Sequence, residues 1–325
     1  MINKIYKKII SVTLLFMFMI SSLSGCAAPW DVTPVSSTGL YFDTVITITL
    51  YGHGKKQYID ECFKIADKYE KILSAKDPDS DIYKINSADG SPVTVSPECT
   101  EIIKAALSFA RESDGAFDPT IGALSTLWDF KTATAPPNED KINDALVTVG
   151  YENIHINGND ISLSGGARLD LGAIAKGFIA DKMKDYLISQ GIKSGIINLG
   201  GNVLLIGSHP NGSSYKVGIQ KPFDDEGNFA FTLEKSDCSI VTSGIYERYF
   251  EYENRLYHHI LDTKTGYPVE NDISSITVIT KKSTDADALS TMLFVMGRDA
   301  ALSYAASHDD VDVVIITKDG SIIRS

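Results

Sequence analysis

The chain is poor in cysteine and in positive charge. Four cysteines are scattered through 325 residues, and 30 Lys plus Arg stand against 42 Asp plus Glu. Cys62, Cys99 and Cys238 lie far apart, which excludes a complete disulfide framework, and no metal-ligand spacing links them. Cys62 falls in a helical pattern and Cys99 near a helix start, so both read as buried free thiols. A formal net charge of −12 argues against nucleic acid as a partner and against a polybasic membrane contact. There is no repeat at a fixed period, no extended low-complexity tract and no phosphate loop of Walker spacing. What remains is a globular composition, 43% hydrophobic, long enough for a large core in one big domain or two smaller ones.

The N-terminal stretch stands apart. MINKIYKK carries Lys4, Lys7 and Lys8, and the apolar run after it is too short for a comfortable membrane span. It closes on Leu23-Ser24-Gly25-Cys26, small residues before a cysteine, as in a bacterial lipobox. Residues 1–25 therefore read as a lipoprotein signal peptide, Cys26 as the lipidated residue and residues 26–38 as a tether. An ordinary signal peptide with an incidental cysteine, or an uncleaved anchor, are the competing readings. Removing three lysines and no acid takes the formal charge from −12 to −15. A lipid on Cys26 would hold residues 39–325 at the extracytoplasmic face of the cell membrane.

In that body, 39–52 alternates and is rich in β-branched residues, which predicts a strand. Residues 55–75 have helical spacing, 77–92 are full of turn formers, and Ser96-Pro97 caps a helix running to about 113. Residues 115–130 suit a structured loop, followed by a linker and a short helix at 140–148. Strands are expected near 153–156 and 160–164, then a long helix ending at Gly191. Further strands are expected at 194–199, 203–207, 215–220, 228–244, 249–262 and 274–280, then helices at 283–297 and 298–307 and two closing strands. This irregular mixture predicts an α+β fold, with mixed and antiparallel sheets and packed helices.

Four stretches could carry chemistry. Asp287 and Thr291, four apart in STDADALSTMLFVMG, project from one helical face and offer hard oxygens suited to Mg²⁺. A helix face turned partly to solvent explains the pair equally simply, and Ser283, Thr284 and Asp285 suit helix capping. In DLGAIAKG, Asp170 ends a strand, Gly172 permits a turn, and Lys176 lies at a helix N-terminus that favours an anion, though a structural turn reads as well. His258 and His259 point to opposite faces of a strand, so one of them at most enters a site, as a base, a ligand or a satisfied surface residue. INLGGN suits a hairpin or a close backbone approach, and TSGIYER offers hydroxyls and a guanidinium, equally readable as a turn and a surface pair. His53, His155, His209 and His308 are isolated.

The order of the motifs is more specific than any one of them. FDTVITITLYG, AFDPTIGAL, LWDF, RLDLGAIAKGF, INLGGN, VTSGIYERYFE, HHILDTKTGYPVEN and STDADALSTMLFVMG together resemble the ApbE family of FAD:protein FMN transferases, from about Thr38 to Thr317. The resemblance implies a T-fold-like core. It also implies Mg²⁺, FAD as bound substrate, and transfer of FMN to a Thr or Ser of exported FMN-binding-domain proteins, with release of AMP. Asp287 and Thr291 match the metal-binding carboxylate and hydroxyl, and Ala173 a backbone carbonyl ligand. Phe42, Lys76, Ala116, Phe117, Asp118, Asp170, Lys176 and Ile260 (or Leu261) match flavin-nucleotide positions. His259 matches a histidine suited to act as general base. The chain departs from the commoner pattern in four places. Phe42-Asp43-Thr44 replaces Met-Gly-Thr, Lys76 stands where Tyr is frequent, Thr263 replaces a Pro, and Thr284 replaces a second metal-binding acid. Hydrolysis of FAD to FMN and AMP, and non-catalytic flavin or solute binding by a lipoprotein, are the alternative functions.

Overall fold

The computed structural model describes residues 33–52, 56–225 and 227–325; residues 1–25 and Cys26, read above as leader and lipid site, lie outside them. An eight-stranded antiparallel sheet organises the molecule. Along the chain its strands are β1 (Val35–Tyr41), β2 (Thr44–Leu50), β6 (Gly195–Leu199), β7 (Asn202–Ile206), β10 (Ser239–Gly244), β13 (Ile273–Thr280), β14 (Asp312–Thr317) and β15 (Ile322–Arg324), and this is also their spatial order. Because each strand pairs with the next strand of the sheet to form, the connections that intervene supply the other layers. A small sheet of β3 (Val93–Thr94), β4 (Ile154–Asn157) and β5 (Asp160–Leu163) and two hairpins, β8 (Tyr215–Gln220) with β9 (Phe229–Lys235) and β11 (Tyr249–Tyr252) with β12 (Arg255–His258), complete the strands.

Side-chain alternation sends successive residues to opposite faces, and the two faces are buried differently. Leu204, Val241, Ile276, Val278, Val313 and Ile315 face a large core shared with the helices. Their neighbours Leu205, Ile240, Ile279, Val314 and Ile316 face a second core closed by Tyr215, Ile219 and Leu233 of the β8–β9 hairpin. Strand β13, between the two, is buried at every position, as a doubly covered strand should be.

The helices are α1 (Lys56–Leu73), α2 (Asp81–Ser87), α3 (Pro97–Glu112), α4 (Gly122–Trp128), α5 (Glu139–Leu146), α6 (Ala175–Ser189), α7 (Ser283–Met296) and α8 (Arg298–Ser307). Ser96 caps α3, its hydroxyl accepting from the Cys99 amide, with Pro97 in the first turn, as expected. Cys62, Cys99 and Cys238 are buried and free. Burial pushes the Cys62 thiol up to about 12 and raises the other two.

Several expected strands divide at turns that contain no glycine. The strand expected over 39–52 is a hairpin, β1 and β2, turning at Phe42 and Asp43, both at φ +55°. It begins at Val35, so part of the expected tether belongs to the sheet. The strand expected over 249–262 is the β11–β12 hairpin, turning at Glu253 and Asn254, again with φ positive at both. Two-residue hairpins need such φ values to match the twist of the strands. The stretch 228–244 likewise divides into β9 and β10, and 77–92 and 115–130 contain α2 and α4.

Candidate active site

Helix α6 crosses α7 at Gly177. A Cβ on Gly177 would lie 2.1 Å from the Ser283 carbonyl oxygen and 2.7 Å from the Asp287 Cβ, so only glycine allows this approach. The Gly177 amide donates to Asp287 Oδ2 at 2.8 Å. Gly177 is the third residue of α6, where backbone amides have no intrahelical partner, and Asp287 supplies one. Asp287, 3% exposed, has its other oxygen 3.7 Å from Lys176 Nζ. One turn further along α7, the Thr291 hydroxyl is partly buried and makes no hydrogen bond among the described residues. Gly177→Ala is expected to separate the helices at a cost of about 3 kcal/mol or more, seen as a lowered thermal midpoint; an unchanged midpoint would show that the crossing is not tight.

No side chain of α7 caps its own N-terminus. Asp181 of α6 does so from the neighbouring helix, accepting from the Ser283 and Thr284 amides at 2.8 Å each and from the Thr284 hydroxyl at 2.6 Å. Thr284, at the position of the second acid, is therefore committed to Asp181. Below it, the Ser283 hydroxyl donates to Asn202 Oδ1, so the INLGGN turn supports the start of α7.

The two histidines separate as their strand geometry requires. His258 Nδ1 accepts from the Ile260 amide and Nε2 donates to the Val269 carbonyl at 3.1 Å. Burial lowers it to about 4. His259 is on the other face. Burial first, then the nearby charges of Arg248 and Lys176, lowers it to about 3, and its buried Nδ1 has no hydrogen-bond partner. Both rings are neutral at physiological pH. Protonation opposes folding for both, so this stability is complete above about 6.5 and is lost as pH falls from there towards 4 and 3. Glu247, open to solvent but walled by protein, has its carboxyl raised to about 7, by that enclosure first and against the pull of Lys176 and Arg248. Its contribution runs oppositely, falling as pH rises from 4.5 through 7. The histidine effect is isolated by comparison: the fall in urea midpoint from pH 7 to pH 5 should be smaller in His258→Gln. Equal falls would contradict the assignment.

Phe42 and Lys76 come to the same edge. The Phe42 amide donates to Glu70 Oε1 at 2.7 Å, which holds a bulky residue at positive φ. Asp43, in place of glycine, tolerates the same φ and pairs with Lys131; that bond, with the charges of Lys131, Lys76 and Arg248, outweighs the opposing effect of burial and leaves its carboxyl below the usual range. Asp170 lies beside α6, accepting from the Ser125 hydroxyl at 2.6 Å and the Gly172 amide at 2.8 Å. Ala116 is partly buried. Phe117 and Asp118 are buried, and both carboxylate oxygens of Asp118 are used within the protein, by Thr120 and by the Tyr151 amide. Ile260 is buried, with its amide on His258 and its carbonyl accepting from Val269. The Thr263 hydroxyl, where a proline is commoner, donates to the Gly115 carbonyl at 2.7 Å and ties the 116–118 segment to the His259 segment. Trp128, Phe130, Phe250 and Tyr257 stack behind this wall.

Lys176, Asp287, His259, Glu247 and Arg248 thus converge. The first three were singled out as functional in the sequence. Glu247 and Arg248 were legible only as polar members of TSGIYER, because their proximity to α6 and α7 is tertiary. No cluster of three or more His, Cys, Asp or Glu that could hold a metal occurs among the described residues. Asp287 and Thr291 offer one carboxylate and one hydroxyl a turn apart on α7, hard oxygens that fit Mg²⁺, which takes few protein ligands and keeps several waters. A separate cavity of about 960 Å³ lies at the β11–β12 hairpin, lined by Phe223, Leu256, His258 and Ile316 among others and by none of the converging residues.

Fold and site define a class: an antiparallel α+β protein with an oxygen-lined, cation-flanked cleft where two helices cross. The chain belongs to the ApbE family, whose model matches residues 42–315. It is 35% identical over 296 residues to a FAD:protein FMN transferase of Klebsiella pneumoniae, covering 89% of this chain and 91% of that one. It is 32% identical over 329 residues to a FAD:protein FMN transferase of Treponema pallidum, covering 94% and 91%. Among solved structures, the ApbE protein of Thermotoga maritima superposes with a TM-score of 0.83 at 30% identity, covering 90% of this chain and 97% of that one. The flavin transferase ApbE of Vibrio cholerae gives 0.81 at 29%, with the same coverage.

Proposed function

We propose that this protein is a Mg²⁺-dependent FAD:protein FMN transferase, anchored through Cys26 at the extracytoplasmic face of the membrane and acting on exported FMN-binding-domain proteins. The observation that carries the reading is the α6–α7 crossing, where Asp287 is oriented by the Gly177 amide beside Lys176, with a neutral His259 facing the same cleft. Asp287, Thr291 and the Ala173 carbonyl would hold the cation. When bound, it would neutralise the FAD diphosphate and favour departure of AMP.

The chain's own groups do the rest. Lys176 and the N-terminus of α6 attract the diphosphate. The acceptor's Thr or Ser oxygen forms a bond to the FMN phosphorus as the bond from that phosphorus to the AMP phosphate oxygen breaks. The hydroxyl proton passes to the His259 imidazole. A ring at about 3 is a weak base, but an arriving diphosphate brings negative charge that raises it. Thr284, bound to Asp181, favours one cation rather than two.

The test is incubation with FAD and MgCl₂, with and without an exported FMN-binding-domain protein, followed by in-gel flavin fluorescence. A fluorescent acceptor band that EDTA abolishes is expected. Free FMN and AMP with no labelled band would reassign the site to FAD hydrolysis, and metal-independent FAD binding without turnover would leave only a flavin-binding protein.

A further inference from the structure

We propose that Arg248 is a further functional residue of this site, placed to bind the non-bridging oxygens of the phosphorus under attack. The inference rests on the transferase reading and adds a residue to it. The β11–β12 ladder continues past its last strand pair, Tyr249 with His258, because the His259 amide donates to the Arg248 carbonyl at 3.1 Å. Directly opposed residues of an antiparallel pair project from the same face, about 5.5 Å apart at Cα. Arg248 is therefore the cross-strand neighbour of the proposed base, on the face that also carries Phe250 and Tyr257, while Tyr249 and His258 occupy the other.

Its guanidinium is exposed and makes no ion pair or side-chain hydrogen bond among the described residues. Of the other cations at this edge, Lys131 pairs with Asp43 and Lys176 stands beside Asp287, while Lys76 has no ion pair among the described residues. Arg248 acts electrostatically on Asp43 at the Phe42 turn and on His259 and Glu247 in the cleft. It thus lies between the edge matched to the flavin and the crossing matched to the diphosphate. A planar fork of donors without a partner is suited to two oxygens of one phosphate. Charge develops on those oxygens as the hydroxyl attacks, so the contact should act on turnover more than on binding.

The test compares wild type, Arg248→Ala and Arg248→Lys for FMN transfer and for the dissociation constant of FAD in the presence of Mg²⁺. Arg248→Ala is expected to lower kcat about 100-fold, with the dissociation constant changed by less than about threefold. Guanidinium ion added to Arg248→Ala should restore at least about tenfold of the loss, and Lys should retain part of it. A readout independent of turnover is the imidazole ¹⁵N titration of His259. It should move to higher pH in Arg248→Ala, because one of the cations facing the ring, with Lys176 and protonated His258, has gone. Active wild type with an unaffected Arg248→Ala, or a folded Arg248→Ala whose loss guanidinium cannot restore, overturns the inference alone. Wild type that neither labels an acceptor nor releases FMN overturns the transferase reading, and this inference falls with it.

Discussion

Asp287→Asn is expected to reduce FMN transfer about 1000-fold or more, the equivalent of about 4 kcal/mol of lost charge stabilisation at the diphosphate. The substitution is chosen because it is nearly isosteric. Its amide oxygen can still accept from Gly177, so the α6–α7 crossing and the fold should survive. What disappears is the anionic oxygen beside Lys176. Mg²⁺ affinity, measured calorimetrically on the same protein, should fall in parallel. A folded Asp287→Asn with normal turnover would remove the metal from the account. Thr291→Ala should give a smaller loss in the same direction, since a neutral hydroxyl contributes less than a carboxylate to binding a hard cation.

His259→Ala is the second large effect. Loss of a positioned general base is expected to cost about 100- to 10,000-fold in kcat, with FAD binding little changed. The pH profile of the wild type adds a directional check. The free protein holds this ring at about 3, and bound diphosphate raises it. The acid limb of kcat/KM, which reports the free protein, should therefore lie below the acid limb of kcat. A limb near 7 that vanishes in Glu247→Gln would belong to Glu247, whose carboxyl is raised to about 7. His259→Ala with near-normal transfer would exclude the base role.

The longer helices were legible because their signals are local, whereas α2 and α4, of 7 residues each, lay in stretches read as turns and loop. Apolar spacing over 56–73 and the Ser96-Pro97 cap depend on neighbours within one or two turns. The hairpin turns were hidden because Phe42-Asp43 and Glu253-Asn254 adopt positive φ without glycine, a choice made tolerable by partners such as Glu70 that lie far away in the chain. The capping of α7 was misassigned for a related reason: the residues expected to cap it are themselves capped, by Asp181 on another helix.

The site was legible in its parts. The separation of Asp287 and Thr291 was enough to place them on one face, and the alternation of His258 and His259 was enough to send them to different faces. Three further facts required the packed chain. Gly177 is where two helices touch, Asp118 gives one carboxylate oxygen to the distant Tyr151 amide, and Arg248 stands opposite His259. Each depends on residues more than ten positions away, and no local pattern records them. The motif order supplied what local pattern could not, since it reflects the tertiary arrangement that brings the segments together.

The most direct measurement is a crystal structure with FAD and Mn²⁺ in place of Mg²⁺, recorded at a wavelength where manganese scatters anomalously. A peak is expected within about 2.2 Å of oxygens from Ala173, Asp287 and Thr291, with the FAD diphosphate on its open side. A peak elsewhere, or a diphosphate lying away from the crossing of α6 and α7, would contradict this assignment.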